Sequence, residues 1–173
     1  MLPGTLREKL GLVSETLGRV AQETHDLTFE LASPTLYKLG LVPAIREWLE
    51  VQVEVKHGIA CHCKCDADTD GLTDELKAFI FRAVKEAGYN AIKHAQAKTL
   101  TVELSAQGLG IAVTICDDGV GFRSDYPSGR SSLGTGLGLF SIQEHVEHLG
   151  GDFHIESAPG IGTKLRFSVP GCL

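Results

Sequence analysis

The sequence has no excess of positive charge: 16 lysines and arginines stand against 22 aspartates and glutamates, a formal net charge of −6. A nucleic-acid or anionic-membrane binder would want a basic face, so this balance argues against both, while a local basic pocket can still hold a phosphate. Long hydrophobic runs are also missing. The longest apolar stretch, Leu109 to Cys116, is far shorter than the roughly 20 residues of a membrane span. No signal-peptide pattern opens the chain, because Arg7 to Lys9 is charged and no long apolar run follows. Nor is there the even, dispersed set of cysteines of a secreted disulfide framework. The 5 cysteines, with Cys61, Cys63 and Cys65 crowded together, fit the reduced cytosol. No internal repeat or low-complexity tract is visible. What is present is ordinary for a globular protein: 173 residues, 43% hydrophobic and 22% charged, enough for one domain with a real core, or one domain and a short appendage.

Hydrophobic spacing organises the chain. Leu6, Leu10, Val13, Leu17, Val20 and Ala21 recur at three- and four-residue steps and predict one helix over the first thirty residues, stopped at Ser33-Pro34. Its apolar stripe needs a partner, as in the edge of a helical dimer. From Leu41 a second helix is expected, with Leu41, Ile45, Trp48, Val51 and Val55 inward. Val51, Val53 and Val55 also alternate as a strand would, but no break signal appears before His57-Gly58, which favours the helix. Ile59 to Cys65 has the strand period. A long helix follows from about Leu72 to His94. Two strands carrying Leu100, Val102, Leu104 and then Ile111, Val113, Ile115 flank a Gln107-Gly108 turn. After the glycine- and serine-rich stretch Arg123 to Gly138, a helix to Leu149 points Leu139, Ile142, Val146 and Leu149 inward. A hairpin closes the chain, with Phe153 and Ile155 facing Leu165, Phe167 and Val169 across Pro159-Gly160. These elements predict an α+β two-layer sandwich, a mixed sheet covered on one face by helices.

Four clusters carry chemistry. Glu86, Asn90 and His94 share one helical face, with Lys93 beside the last. A carboxylate, an amide oxygen and a cation on one ridge suit a hydrated magnesium ion and a phosphate tail; the bland alternative is a solvated face. Asp117-Asp118-Gly119-Val120-Gly121-Phe122 ends an apolar strand. There a carboxylate can accept a hydrogen bond from an exocyclic amine and glycines let a flat ring approach, although Asp-Gly is also a common turn signal. Gly134-Thr135-Gly136-Leu137-Gly138-Leu139 opens a helix, and such backbone amides suit an anion. It lacks the lysine of a Walker A loop and the glycine spacing of a dinucleotide fingerprint. Gly160-Ile161-Gly162-Thr163 alone reads as a turn.

Together, in this order, an Asn on a helix, a DxGxG loop, a GxGxG loop and a GxGT turn resemble the asparagine box and three glycine boxes of one superfamily. The chain from about Leu41 to Pro170 is similar to the Bergerat-type ATP-binding domain shared by sensor histidine kinases, type II topoisomerases, a class of heat-shock chaperones and MutL. Three runs resemble the subclass of sensor kinases that pairs with NarL-type response regulators: Asn-Ala-Ile-Lys-His-Ala from Asn90, Glu-Leu-Ala-Ser-Pro-Thr-Leu-Tyr-Lys-Leu-Gly-Leu from Glu30, and the closing Glu-Ser-Ala-Pro-Gly-Ile-Gly-Thr. The resemblance implies ATP and magnesium as cofactors, with Asn90 on the metal and Lys93 and His94 near the phosphates. Asp117 would read the adenine amino group, Gly119 and Gly121 would let the ring approach, and Thr163 would reach the adenine side. Gly134, Gly136, Leu137 and Gly138 would cap the phosphates, with Arg123 to Leu133 as the lid. Glu86 occupies the place of the base in the ATP-hydrolysing relatives. Gly88 and Tyr89 depart from the Leu-like and the small or amide residue usual there. A mid-helix glycine costs roughly 1 kcal/mol against alanine, with no visible gain.

The implied function is transfer of the γ-phosphate of ATP-Mg to a histidine, for relay to a response-regulator aspartate. Residues 35–173 would be the catalytic domain, and residues 1–34 the remnant second helix of a dimerisation region plus linker. His25-Asp26 looks like a phosphoaccepting pair, but Pro34 follows too soon. The accepting helix is therefore expected outside this sequence, without which the chain would bind ATP and not autophosphorylate. The full-length protein would be a homodimer acting in the cytoplasm, tethered or not to a membrane. A serine-directed anti-sigma-factor kinase, an ATP-hydrolysing clamp and a nucleotide-binding regulator use the same pocket and are the rival readings. In Cys61-His62-Cys63-Lys64-Cys65 the strand period puts the cysteines on one face as small hydrophobes, which suits tetrahedral metal ligation poorly. His145 and His148 are expected in solvent.

Overall fold

The computed structural model describes residues 33–122 and 137–170. The helix predicted over the first thirty residues and the His25-Asp26 pair lie outside them. Pro34 opens a short helix, α1 (Pro34–Leu39), where a missing backbone N–H costs nothing. Helix α2 begins as Leu41–Trp48, continues through a wider turn at Leu49–Glu54 and ends with Val55–His57. In the wider turn the Val55 N–H reaches back five residues to the Glu50 carbonyl. Gly58, at φ 69°, ends it.

Helix is therefore the right assignment for Val51 to Val55, but the inward face was misplaced. Val51 and Val55 are 44% and 74% exposed, and Leu49 and Val53 are buried in their stead. The wide turn is the cause: one extra residue in a turn shifts the phase of every later position.

Strand β1 (Ala60–Cys65) leads to α3 (Asp74–Asn90), capped where the Thr73 side chain accepts the Leu76 N–H at 3.3 Å. Asp74 and Glu75 in its first turn suit the positive end of the helix dipole. A second wide turn, Ala91–Ala95, continues α3 and ends at Gln96. The strands β2 (Thr99–Gln107) and β3 (Gly110–Asp117), helix α4 (Leu137–His148), and the strands β4 (Asp152–Ala158) and β5 (Gly162–Pro170) complete the described residues.

The strands form one sheet in the order β1-β2-β3-β5-β4, with β1 parallel to β2 and every other pair antiparallel. One face packs under the helices. Val102, Ile115, Leu165 and Ile155 are in register across it, and so are Leu104, Val113, Phe167 and Phe153. Leu76, Ile80 and Val84 of α3, Ile45 of α2 and Val146 of α4 join that core. The opposite face carries His62, Lys64, Glu103, Arg166 and His154, all exposed. This is the expected two-layer α+β sandwich. Cys61, Cys63 and Cys65 share the core face of β1, and burial pushes the Cys61 thiol up to about 11. His145 and His148 are exposed as expected, and one side of the His145 ring stacks on Phe79 of α3, with centroids 4.4 Å apart.

Candidate functional site

Between α3, α4 and the strand ends lies a cavity of about 230 Å³. Its walls are apolar, from Leu100, Ile115, Leu139, Ile155 and Leu165, and its polar groups are Asn90, His94, Asp117 and Thr163. Sheet register explains the arrangement. Leu100, Asp117, Thr163 and Ser157 form the last row across β2, β3, β5 and β4, one step beyond the apolar row of Val102, Ile115, Leu165 and Ile155. A row polar at Asp117, Thr163 and Ser157 thus closes an apolar floor, a layout suited to a flat, largely apolar ligand with one hydrogen-bond donor.

The two neighbouring aspartates do different work. Asp117 turns into the cavity, and its Oδ1 accepts the Gly119 N–H at 2.9 Å. Burial raises its pKa above the ordinary carboxylate value, against lowering hydrogen bonds from Gly119 and Thr163. Asp118 points the other way, and its Oδ1 accepts the Lys98 and Thr99 N–H groups at 2.7 and 2.8 Å. Those bonds, Thr99 first, hold its carboxyl below the usual value. Asp118 therefore pins the start of β2.

Both glycines of this loop are needed for the protein's own backbone. A Cβ at Gly119 would strike the Ala95 carbonyl, and one at Gly121, where φ is +59°, would strike the Ala158 carbonyl. The loop is tied down on both sides: the Val120 N–H bonds to the Ala95 carbonyl and the Gly160 N–H to the Val120 carbonyl, each at 2.7 Å. Ser157 completes the fastening. Its Oγ accepts the Phe122 N–H at 2.9 Å, donates to the Gly162 carbonyl at 2.9 Å and lies 3.2 Å from the Thr163 hydroxyl. Ser157 was missed as a functional position, because a serine before Ala-Pro-Gly reads as part of a turn. Its register opposite Thr163 was the available signal.

Along α3 the predicted ridge is split. Asn90 and His94 line the cavity, while Glu86 sits one turn back, accepting the Asn90 Nδ2–H at 3.4 Å. The Glu86 carboxylate lies against the first turn of α4, where a Cβ at Gly138 would collide with it. Lys93 is exposed and places its Nζ 5.4 Å from the Tyr89 ring centroid, away from the cavity lining. Leu137 begins α4; Gly134, Gly136 and the expected lid, Arg123 to Leu133, lie outside the described residues. Among the described residues no cluster of histidine, cysteine or carboxylate side chains forms a metal cage, and no helix is long and apolar enough to cross a membrane.

Comparison with known proteins agrees with this geometry. A model of the family described as histidine kinase-, DNA gyrase B-, and HSP90-like ATPase matches residues 75–171. The oxygen sensor histidine kinase NreB of Staphylococcus carnosus is 33% identical over 154 residues, covering 89% of this chain and 43% of its own length. The signal transduction histidine-protein kinase/phosphatase DegS of Bacillus subtilis is 30% identical over 134 residues, 76% of this chain and 34% of its own. The chain thus spans less than half the length of either relative. A blue-light activated histidine kinase from Erythrobacter litoralis shares the fold, with a TM-score of 0.67 at 20% identity over 93% of this chain and 51% of that one.

Proposed function

The chain belongs to the histidine kinase-, DNA gyrase B-, and HSP90-like ATPase family, and from that membership we propose that residues 35–173 are the ATP-binding catalytic domain of a two-component sensor histidine kinase. In this reading the domain passes the γ-phosphate of ATP to a histidine, for relay to an aspartate of a NarL-type response regulator. Residues 1–34 belong to the dimerisation region of a homodimeric parent whose kinase domain works in the cytoplasm. The two curated relatives, both named as histidine kinases, support the choice within the family.

The observation that carries the reading is Asp117: a half-buried carboxylate, oriented by the Gly119 N–H at the apolar end of a cavity that runs to Asn90 and His94. It accepts the exocyclic amine of adenine, while Thr163 borders the ring and the apolar walls exclude water from it. Asn90 and His94 face the phosphates, and Lys93, which lies over the Tyr89 ring outside the cavity lining, contributes positive charge only at longer range. The backbone of Gly134, Gly136, Leu137 and Gly138 caps the phosphate tail.

The donor set suits magnesium. Asn90 directs its Nδ2 to Glu86, so its Oδ1 would be left to hold the cation, and magnesium takes oxygen ligands while keeping several waters. When bound, the ion neutralises charge on the transferring phosphoryl group. Glu86 polarises the attacking nucleophile from the far side of Asn90. The protein's share of the rate comes from holding the phosphoryl group in line with the acceptor.

Calorimetric titration with a non-hydrolysable ATP analogue and magnesium tests the pocket, with Asp117→Asn as the control. Magnesium-dependent binding that is much weaker in the variant supports the reading, and absence of binding in the wild type overturns it. Transfer of labelled phosphate to a histidine-bearing helix of a related kinase, supplied in trans, separates a kinase from a plain ATPase or a nucleotide-binding regulator.

A further inference from the structure

Immediately before Asn90, α3 carries a glycine and a tyrosine, Gly88 and Tyr89, that local helix propensity does not explain. Packing against α2 explains both. A Cβ at Gly88 would lie 2.5 Å from Cη2 and 2.7 Å from Cζ3 of Trp48, so the indole rests on the bare backbone of α3. The Tyr89 ring meets it edge-on, with centroids 5.5 Å apart and planes at 79°. Lys93 then lies over the Tyr89 ring.

Trp48 is 4% exposed and is the last residue of α2 before its wide turn; Asn90 is the last residue of α3 before its own. We infer that Trp48 is a positioning residue, whose seat on Gly88 and Tyr89 sets the rotation at which α3 presents Asn90 and His94 to the nucleotide's phosphate end. The inference rests on the nucleotide-binding reading above. A helix transmits rotation along its axis, because its hydrogen-bonded turns resist twisting. Asn90 therefore inherits the azimuth fixed two residues earlier. His94 lies in the wide turn that follows and lines the cavity together with Asn90. The indole's shape is what is retained: among the described residues its Nε1–H finds no acceptor, a polar cost that a phenylalanine would avoid.

Gly88→Ala pushes the indole off its seat and turns α3; Trp48→Phe leaves the seat underfilled. With each variant, affinity for an ATP analogue is measured by calorimetry with and without magnesium, and folding by circular dichroism. The expected result is about tenfold weaker binding with magnesium in each variant, the size of losing part of a contact to a charged group, with binding in its absence unchanged because the adenine end is untouched. The double variant Trp48→Phe/Gly88→Ala, a smaller ring against a larger seat, is expected to regain the magnesium-dependent part. Equal weakening with and without magnesium would reduce Trp48 to general packing, and unchanged affinity in Trp48→Phe would remove its role. If Gly88→Ala fails to fold, Trp48→Phe alone decides. A wild type that binds no nucleotide in either condition overturns the function itself and this inference with it; a wild type that binds while the variants match it overturns only the inference.

Discussion

Asp117 and Asp118 carry the same carboxylate one bond apart in the chain, and strand alternation sends them to opposite faces. Asp117 meets the cavity, and burial holds its pKa above the usual carboxylate value. The folded state then binds more protons than the unfolded one between the two pKa values, so stability falls as pH rises through that window. Asp117→Asn is expected to raise the melting temperature at neutral pH, and the gain shrinks as pH drops through the carboxylate range; scanning calorimetry at several pH values checks this. The same substitution is expected to weaken nucleotide binding roughly tenfold to a hundredfold, the worth of a hydrogen bond to a charged group at about 1.5–3 kcal/mol. A variant with both lower stability and unchanged affinity contradicts both assignments. Ser157→Ala leaves the Phe122 N–H without its partner and is expected to cost about 1–3 kcal/mol, read by urea denaturation.

Among the elements, α3 matters most because both its ends are specified. Thr73 caps the start, and Gln96 ends it with φ at 52°, the one non-glycine residue with positive φ among the described residues. A left-handed residue with a Cβ costs roughly 1–2 kcal/mol, partly offset by glycine's greater unfolded entropy. Gln96→Gly is therefore expected to stabilise the fold by about 0.5–1 kcal/mol, measured as a shift in urea midpoint at constant slope. A lower midpoint would mean that the Gln96 side chain carries a contact worth more than the strain. At the other end of the site, Gly138→Ala drives a methyl group into the Glu86 carboxylate. Slower phosphoryl transfer in a trans assay is the expected result, together with a lower melting temperature.

At the scale of the whole molecule, the helices and the last row of the sheet meet around the cavity, so a ligand there touches α3, β3, β5 and α4 at once. Binding to the folded state alone stabilises it by mass action, about 2.7 kcal/mol at a hundredfold excess over Kd. An ATP analogue with magnesium is expected to raise the melting temperature, and adding a chelator of magnesium is expected to remove most of that rise. A rise insensitive to the chelator would take Asn90 off the metal.

The sequence alone determined the order of elements and the chemistry they carry, because both are encoded locally. Period-2 runs predicted the core faces Leu100-Val102-Leu104 and Ile111-Val113-Ile115, and the asparagine and glycine motifs singled out Asn90, His94, Asp117 and Thr163, which line one cavity. What it could not decide were properties of packing. Val51 and Val55 fell on the wrong face because a wide turn changes helical phase without a local signature. Gly88 looked like a defect until the Trp48 indole, forty residues away in the chain, proved to occupy the space of its missing side chain. Ser157 gained its place only when β4 paired with β5. Local patterning is set by each residue's own bonds and hydrophobicity, whereas a glycine's neighbour, a helix's azimuth and a hydroxyl's partners exist only once distant segments have been brought into contact.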